Sequence, residues 1–248
     1  SLGNTAALLV TTSLIGQVLG FLRVKLINAN FSALGPNSTD AFFAASKIPD
    51  FFYFTIAAGA LGVAFMPVLA DHLQKHDRKG VWELSTSLLN FLALIMFIVG
   101  LGIFIFAEPI IHGLVAPNLE PKQLSNAVII MRLIAFNPLL FTISGILMSV
   151  QQTFGRFFYF AVAPLIYNTS IILSIFLFRD NIGLIGLGVG ALIGALLQLG
   201  IAMIGLRGIQ FKYHRLINFK APDFQKILRL VPPRSIDQGI TSINSIVA

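Results

Sequence analysis

The chain predicts an all-α, polytopic transmembrane helical bundle, on three observations. Hydrophobic residues fill 56% of the 248 positions and charged residues 11%, with 23 Phe among them, and the mean hydropathy is +0.85. A soluble domain carries about 25% charged residues, so a surface at half that density does not face water. The apolar residues also gather into runs of the roughly 20 residues that a helix needs to cross a bilayer. Lys and Arg then fall in alternate loops, as they do when a chain threads a membrane back and forth.

Six runs are long enough to span: 5–27, 41–70, 84–107, 124–150, 157–178 and 182–206. The first carries no small-residue cleavage pattern and reads as a span, not as a signal peptide. The second exceeds a perpendicular crossing, which predicts a tilt or a bend, with Pro49 as the natural kink. Pro138 and Pro164 interrupt the hydrogen-bond ladder inside spans four and five and permit bending there. The loops after spans two, four and six hold ten basic residues: Lys75, Arg78, Lys79, Arg156, Arg207, Lys212, Arg215, Lys220, Lys226 and Arg229. Those after spans one, three and five hold only Lys25, Lys122 and Arg179. Ten against three places the N-terminus and the even-numbered loops in the cytoplasm.

Residues 1–208 thus read as a six-helix transmembrane lobe, followed over 209–233 by an amphipathic cytoplasmic linker helix. Pro222 and Asp223 mark its start. Phe224, Ile227, Leu228 and Val231 form one face, with Lys226 and Arg229 off it. It reads either as a helix lying on the inner membrane surface or as an ordinary linker. Residues 234–248 read as the truncated start of a seventh transmembrane helix. The 14 residues "SIDQGITSINSIVA" rise only about 21 Å at roughly 1.5 Å each.

Composition excludes several functions. The absence of Cys removes disulfides, thiol catalysis and Cys-ligated metal. The net charge of +7 belongs to the loops, and no basic, aromatic-interleaved soluble module exists to bind nucleic acid. No nucleophile–base pair, phosphate-cradling loop or carboxylate dyad appears, so neither an enzyme nor a cofactor is expected. His72 and His76 share a helical face between Asp71 and Asp77, but without a third ligand they read as a solvated helix end, not a metal site.

Charges inside spans cost about 2.5–3.5 kcal/mol each and normally face a polar cavity or one another. Arg23 is the cavity candidate of span one, whereas Lys25 lies near the interface and snorkels. In span two, Asp40 and Lys47 are seven residues apart and nearly eclipsed, and Lys47 and Asp50 form an i, i+3 pair. Two readings stand for this trio. They line one side of a hydrated space, or Asp40 caps the helix while Lys47 and Asp50 neutralise each other. Arg132 and Arg156 read as interface anchors. Gly186, Gly190 and Gly194 form a ridge at four-residue spacing that Gln198 continues. Such a ridge admits a close helix neighbour, and Gln198 can hydrogen-bond across the contact.

The stretch "VLGFLRVKLINANFSALGPNSTDAFFAASKIPDFFYFTIAAGALGVAFMPVLADH" resembles the opening of the MurJ (MviN) lipid II flippases, in the multidrug/oligosaccharidyl-lipid/polysaccharide exporter superfamily. The likeness continues through "LVAPNLEPKQLSNAVIIMRLIAFNPLLF", "GRFFYFAVAPLIYNTSIIL", "GLGVGALIGALLQL" and "LVPPRSIDQGITSIN". It covers nearly the whole chain and the N-terminal half of a family member.

The resemblance implies one of two pseudo-symmetric lobes around a central cationic cavity. That cavity takes the head group of a polyprenyl-pyrophosphate-linked peptidoglycan precursor, lipid II, and alternating access moves it across the bacterial cytoplasmic membrane. Arg23 stands at the first-helix arginine, Asp40 at the aspartate opening helix two, and Lys47 at the basic residue before Ile-Pro. Where the family carries a further arginine, two more after Ile-Pro, and a glutamate, this chain has Gln17, Tyr53, Phe54, and Ala58 ahead of Gly59. The substrate site is therefore expected at Arg23, Lys47, Asp40 and Asp50. The implied partners are the lipid-linked oligosaccharide, membrane lipids and a second lobe. Two other readings remain: a non-transporting scaffold or partner-binding half, and an exporter of another amphipathic substrate such as a small cation.

Overall fold

The computed structural model describes residues 2–32, 34–58 and 65–229. Among these residues all regular structure is helical. The long apolar runs leave no other solution, because every backbone N–H and C=O within hydrocarbon must be bonded inside its own segment. Five helical stretches are long and apolar enough to cross a membrane: Gly3–Asn30, Arg78–Ile105, Pro121–Thr153, Phe158–Ile182 and Ile185–Gly205. The protein is a multi-pass membrane protein.

The elements in order are α1 (Leu2–Asn30), α2 (Thr39–Phe52), a π-helical turn (Tyr53–Ala58), α3 (Met66–Gln74), α4 (Arg78–Ile105) and α5 (Ala107–Ile110). A second π-helical turn (Ile111–Val115), α6 (Pro121–Ile134), α7 (Asn137–Thr153), α8 (Phe158–Ile182) and α9 (Ile185–Gly205) follow. Residues 222–229 are again helical. The expected seventh helix over 234–248 and Val231 lie outside the described residues.

The long second run is not one uninterrupted α-helix. Pro49 sits inside α2 and donates no hydrogen bond to the preceding turn, and the coil widens to a π-helical turn from Tyr53. The fourth run likewise divides between α6 and α7 at Ala135–Phe136, just before Pro138.

The chain forms two compact units. The first comprises Ser1–Pro49, Val99–Asn137 and Ala161–Gln198, and the second Asp50–Ile98, Pro138–Phe160 and Leu199–Ala248.

Close helix contact organises the first unit. Ser170 of α8 donates its hydroxyl to the carbonyl of Gly190 on α9 (2.8 Å). A Cβ at Gly190 would collide with the Ser174 side chain and approach the Ser170 carbonyl to 3.2 Å. Only glycine leaves room for this contact. Gln198, on the same row, is half-buried and makes no hydrogen bond to a described residue.

The second unit is built around an aromatic and aliphatic core. Phe65, Leu69, Val81, Leu88, Phe224 and Ile227 are all fully buried in it. Trp82 stacks on Phe154 at 5.4 Å, and Phe91 meets Phe224 edge-on at 5.8 Å. Phe224 and Ile227 on the apolar face of the 222–229 helix are therefore spent inside this core.

Candidate functional site

The pattern of α2 sorts its residues onto two faces. Ala41, Phe42, Ala45, Ile48 and Pro49 are buried, while Asp40, Phe43 and Asp50 are exposed and Lys47 is half-buried. Positions 40, 43, 47 and 50 recur at helical spacing, so the polar residues share the face opposite the packed one. The start of the helix is capped by Ser38, whose Oγ accepts the Asp40 N–H at 3.2 Å. That leaves the Asp40 carboxylate one position inside the first turn, where it complements the helix dipole without serving as the cap.

Asp40 and Lys47 line a recess of about 690 Å³ in the first unit, with Phe43 and Ala44 of α2, Leu34, the turn Val115–Leu119, Glu120 and Gln123. Two tethers hold its walls. Gln123 of α6 donates Nε2 to the Gly35 carbonyl (3.0 Å) and accepts the Glu120 N–H on Oε1 (3.1 Å). Asn126 donates to the Pro36 carbonyl (2.6 Å). The lining thus offers one ammonium, two carboxylates and the amides of Asn118 and Gln123. Such a set suits a partner that presents both anionic and donor groups more than one presenting bare phosphate alone.

Of the four residues expected at the substrate site, the recess gathers Asp40 and Lys47 and does not include Arg23 or Asp50. Asp50 is exposed on α2 and belongs to the second unit. Arg23 on α1 has its Nε enclosed and without a hydrogen-bond partner among the described residues, an unspent charged donor that demands a reason. At the positions where the resemblance implies cations, Tyr53 packs edge-on against Phe141 at 5.5 Å, and Phe54 is half-exposed. Aromatic rings fill that stretch, so the phosphate-binding fork of an arginine is absent from it.

Other polar residues are structural. Arg156 donates to the carbonyls of Gly205 and Arg207 and so terminates α9. Arg132 donates Nε to the Phe104 carbonyl (3.2 Å) and lies over its ring at 5.9 Å.

His72 corrects the reading of a solvated helix end. Its side chain is only 18% exposed. Nδ1 lies 2.8 Å from Asp77 Oδ2 and Nε2 lies 2.9 Å from Asp223 Oδ2, both at hydrogen-bond distance. Both ring nitrogens are therefore engaged, and among the described residues no group of three or more His, Asp or Glu is placed to hold a metal ion. Asp77, which also accepts the Gly80 N–H (2.9 Å), is held below the usual carboxylate range by that backbone bond first and by the His72 bond second. Glu120 escaped the sequence reading, although Gln123 three residues later is a capping signal. Asp223 was legible only as a helix start, and its contact with His72, 151 positions away, left no local signal.

The fold is that of a lobe of a membrane transporter. Over 97% of its length the chain superposes on 49% of a lipid II flippase MurJ in an inward closed conformation, with TM-score 0.77 and 24% identity. It also superposes over 96% of its length on 53% of an outward-facing multidrug resistance MATE family transporter of the MOP superfamily, with TM-score 0.74 and 16% identity.

Sequence narrows that class. Residues 32–248 match the family model for lipid II flippase MurJ, and the chain belongs to that family. It is 30% identical over 240 residues to a probable lipid II flippase MurJ of Buchnera aphidicola subsp. Schizaphis graminum, covering 94% of this chain and 46% of that protein. To the probable lipid II flippase MurJ of Rhizobium meliloti it is 25% identical over 244 residues, covering 93% and 44%. The chain spans about half the length of the curated relatives it matches.

Proposed function

We propose that this chain supplies one lobe of a flippase that moves a polyprenyl-pyrophosphate-linked peptidoglycan precursor across the bacterial cytoplasmic membrane, with its N-terminus in the cytoplasm. The observation that carries the reading is the family match over residues 32–248. The recess beside α2, where Asp40 and Lys47 meet Glu120 and Gln123, supports it with a polar surface on a helix otherwise packed by apolar residues. In this reading Lys47 and Arg23 attract anionic parts of the head group. Asp40 and Glu120 orient its donor groups, and Asp50 adds charge to the same helix face. Alternating access of this kind needs two bundles rocking about a shared site, so a second lobe completes the transporter. The chain acts by binding and moving its substrate and performs no covalent step.

The test is the amount of lipid II reachable by a head-group reagent added outside cells that depend on this flippase. Lys47→Ala and Arg23→Ala are expected to lower it about tenfold or more, the scale of one lost charge-assisted contact, while Lys47→Arg retains most of it. Unchanged exposure in both alanine variants removes the proposal.

A second reading, an exporter of amphipathic cations, draws on the two carboxylates that face one ammonium in the recess. It requires Glu120→Gln to abolish export and Lys47→Ala to leave it intact, the reverse of the flippase pattern.

A further inference from the structure

Between Leu206 and Pro222 the chain carries Arg207, Lys212, Arg215 and Lys220 and no Asp or Glu. This irregular segment is fastened to α4 in the second unit. The Tyr213 hydroxyl donates to Asn90 Oδ1 (2.7 Å), and Asn90 Nδ2 donates to the carbonyls of His214 (2.9 Å) and Leu216 (3.4 Å). The Asn218 N–H donates to Ser87 Oγ (3.1 Å). Phe219 adds ring contacts to Phe91 (5.9 Å) and Phe224 (5.7 Å).

The fastening sets the height of the segment. From Phe91 to Ile105 every residue of α4 is apolar or glycine, and this stretch rises about 22 Å at roughly 1.5 Å per residue. This stretch fills most of a hydrocarbon core of about 30 Å. Asn90 is the last polar residue before it, so the segment that Asn90 holds lies toward the end of the span, near head-group level of the nearer leaflet.

At that level its side chains are turned outward. Leu216 is 79% exposed, Tyr213 54% and Phe219 53%. Lys212, Arg215 and Lys220 are exposed too, and none forms an ion pair with a described residue. Nearby acids are already engaged: Asp71 with Lys75, Glu83 with Lys79, and Asp77 and Asp223 with His72. A protruding leucine flanked by cations, held at the membrane boundary, matches the chemistry of an acidic lipid surface.

We propose that residues 212–220 form a docking surface for acidic phospholipids, with Leu216 inserted beside the acyl chains and Lys212, Arg215 and Lys220 against the head-group phosphates. This surface is distinct from the recess beside α2, and the proposal holds whether or not the chain moves lipid II.

The absence of cysteine makes the test clean. A spin label on Leu216→Cys is the sole label in the chain, reconstituted into bilayers of phosphatidylcholine with increasing phosphatidylglycerol. The label is expected to collide with lipid-soluble oxygen in preference to a water-soluble nickel chelate, and to sink deeper as phosphatidylglycerol increases. Phosphatidylglycerol retention should fall about fivefold per basic residue neutralised, roughly a hundredfold in Lys212→Gln/Arg215→Gln/Lys220→Gln. Lys75→Gln/Lys79→Gln, which removes charge from paired positions, should leave both readouts near wild type. The proposal is overturned if the label stays open to the nickel chelate at every lipid composition. It is equally overturned if the triple variant keeps its retention, or if the paired-lysine control loses as much as the triple variant.

Discussion

Polar residues are treated in opposite ways by α2 in the first unit and by the His72 region in the second. Along α2, Asp40 and Lys47 are kept at a recess, on the face left over once Ala41, Phe42, Ala45 and Ile48 are packed. At His72 the polar groups are consumed by one another. One imidazole joins Asp77 and Asp223, and the aromatic core closes over the linker helix beside it. The contrast separates groups that line a recess from groups that tie distant parts of the chain together. Substitutions in the two places should fail differently.

The largest effect on folding is expected at Phe224→Ala. Phe224 is fully buried and contacts Phe91 and Phe219, and truncating a buried Phe costs about 3–5 kcal/mol. Hydrogen exchange over 222–229 should accelerate strongly, and a wild-type exchange rate would show that this helix is not held by its apolar face. Next comes Gly190→Val, where the added side chain meets Ser174 and the Ser170 carbonyl. Overpacking of this kind costs about 1–3 kcal/mol. The loss should appear in thermal unfolding while the linker helix keeps its protection, and a neutral outcome would mean that α8 and α9 separate easily.

His72→Ala is a smaller step. Hydrogen bonds to charged groups contribute about 1.5–3 kcal/mol, but Asp77 and Asp223 are 45% and 44% exposed, so solvent screening reduces the expected loss to about 1 kcal/mol. Proteolysis near residue 222 should quicken while lipid II exposure is retained. Lys47→Ala should give the converse, with export lost and unfolding little changed. If the two variants behave alike, the division between recess-lining and chain-holding groups fails.

The smallest expected effect is that of acid. Asp77 has a folded-state pKa depressed from 3.8. Its contribution is therefore fully present above that value and lost as pH falls through the lower folded value. Melting temperature followed from pH 6 downward should stay level until below about pH 4 and then drop, and Asp77→Asn should flatten that drop.

Some of this was legible before any coordinates. The long apolar runs impose helices, because a spanning segment must bond its own backbone. The spacing of Asp40, Lys47 and Asp50 placed them on one face because a helix has a fixed period, and the glycine row pointed to a close helix neighbour, which Gly190 has in α8. The break in the second run could be expected from Pro49, but the π-helical turn after it could not, since the relaxed coil depends on what surrounds Tyr53. Glu120 was half-visible through its Gln123 neighbour. The absence of Arg23 from the recess was not visible at all, because sequence spacing says nothing about which helices adjoin.

The sequence by itself determined that this protein lives in a membrane, that its long apolar runs are built from helices and to which family it belongs. These follow from local periodicity, hydropathy and motif order. Only the tertiary structure decided that Asp40 shares a recess with Glu120, that His72 reaches Asp223, and that Asn90 holds the basic segment around Tyr213 and His214 against α4. Each of these joins residues far apart in the chain, and no local pattern records a contact whose partners are brought together only by packing.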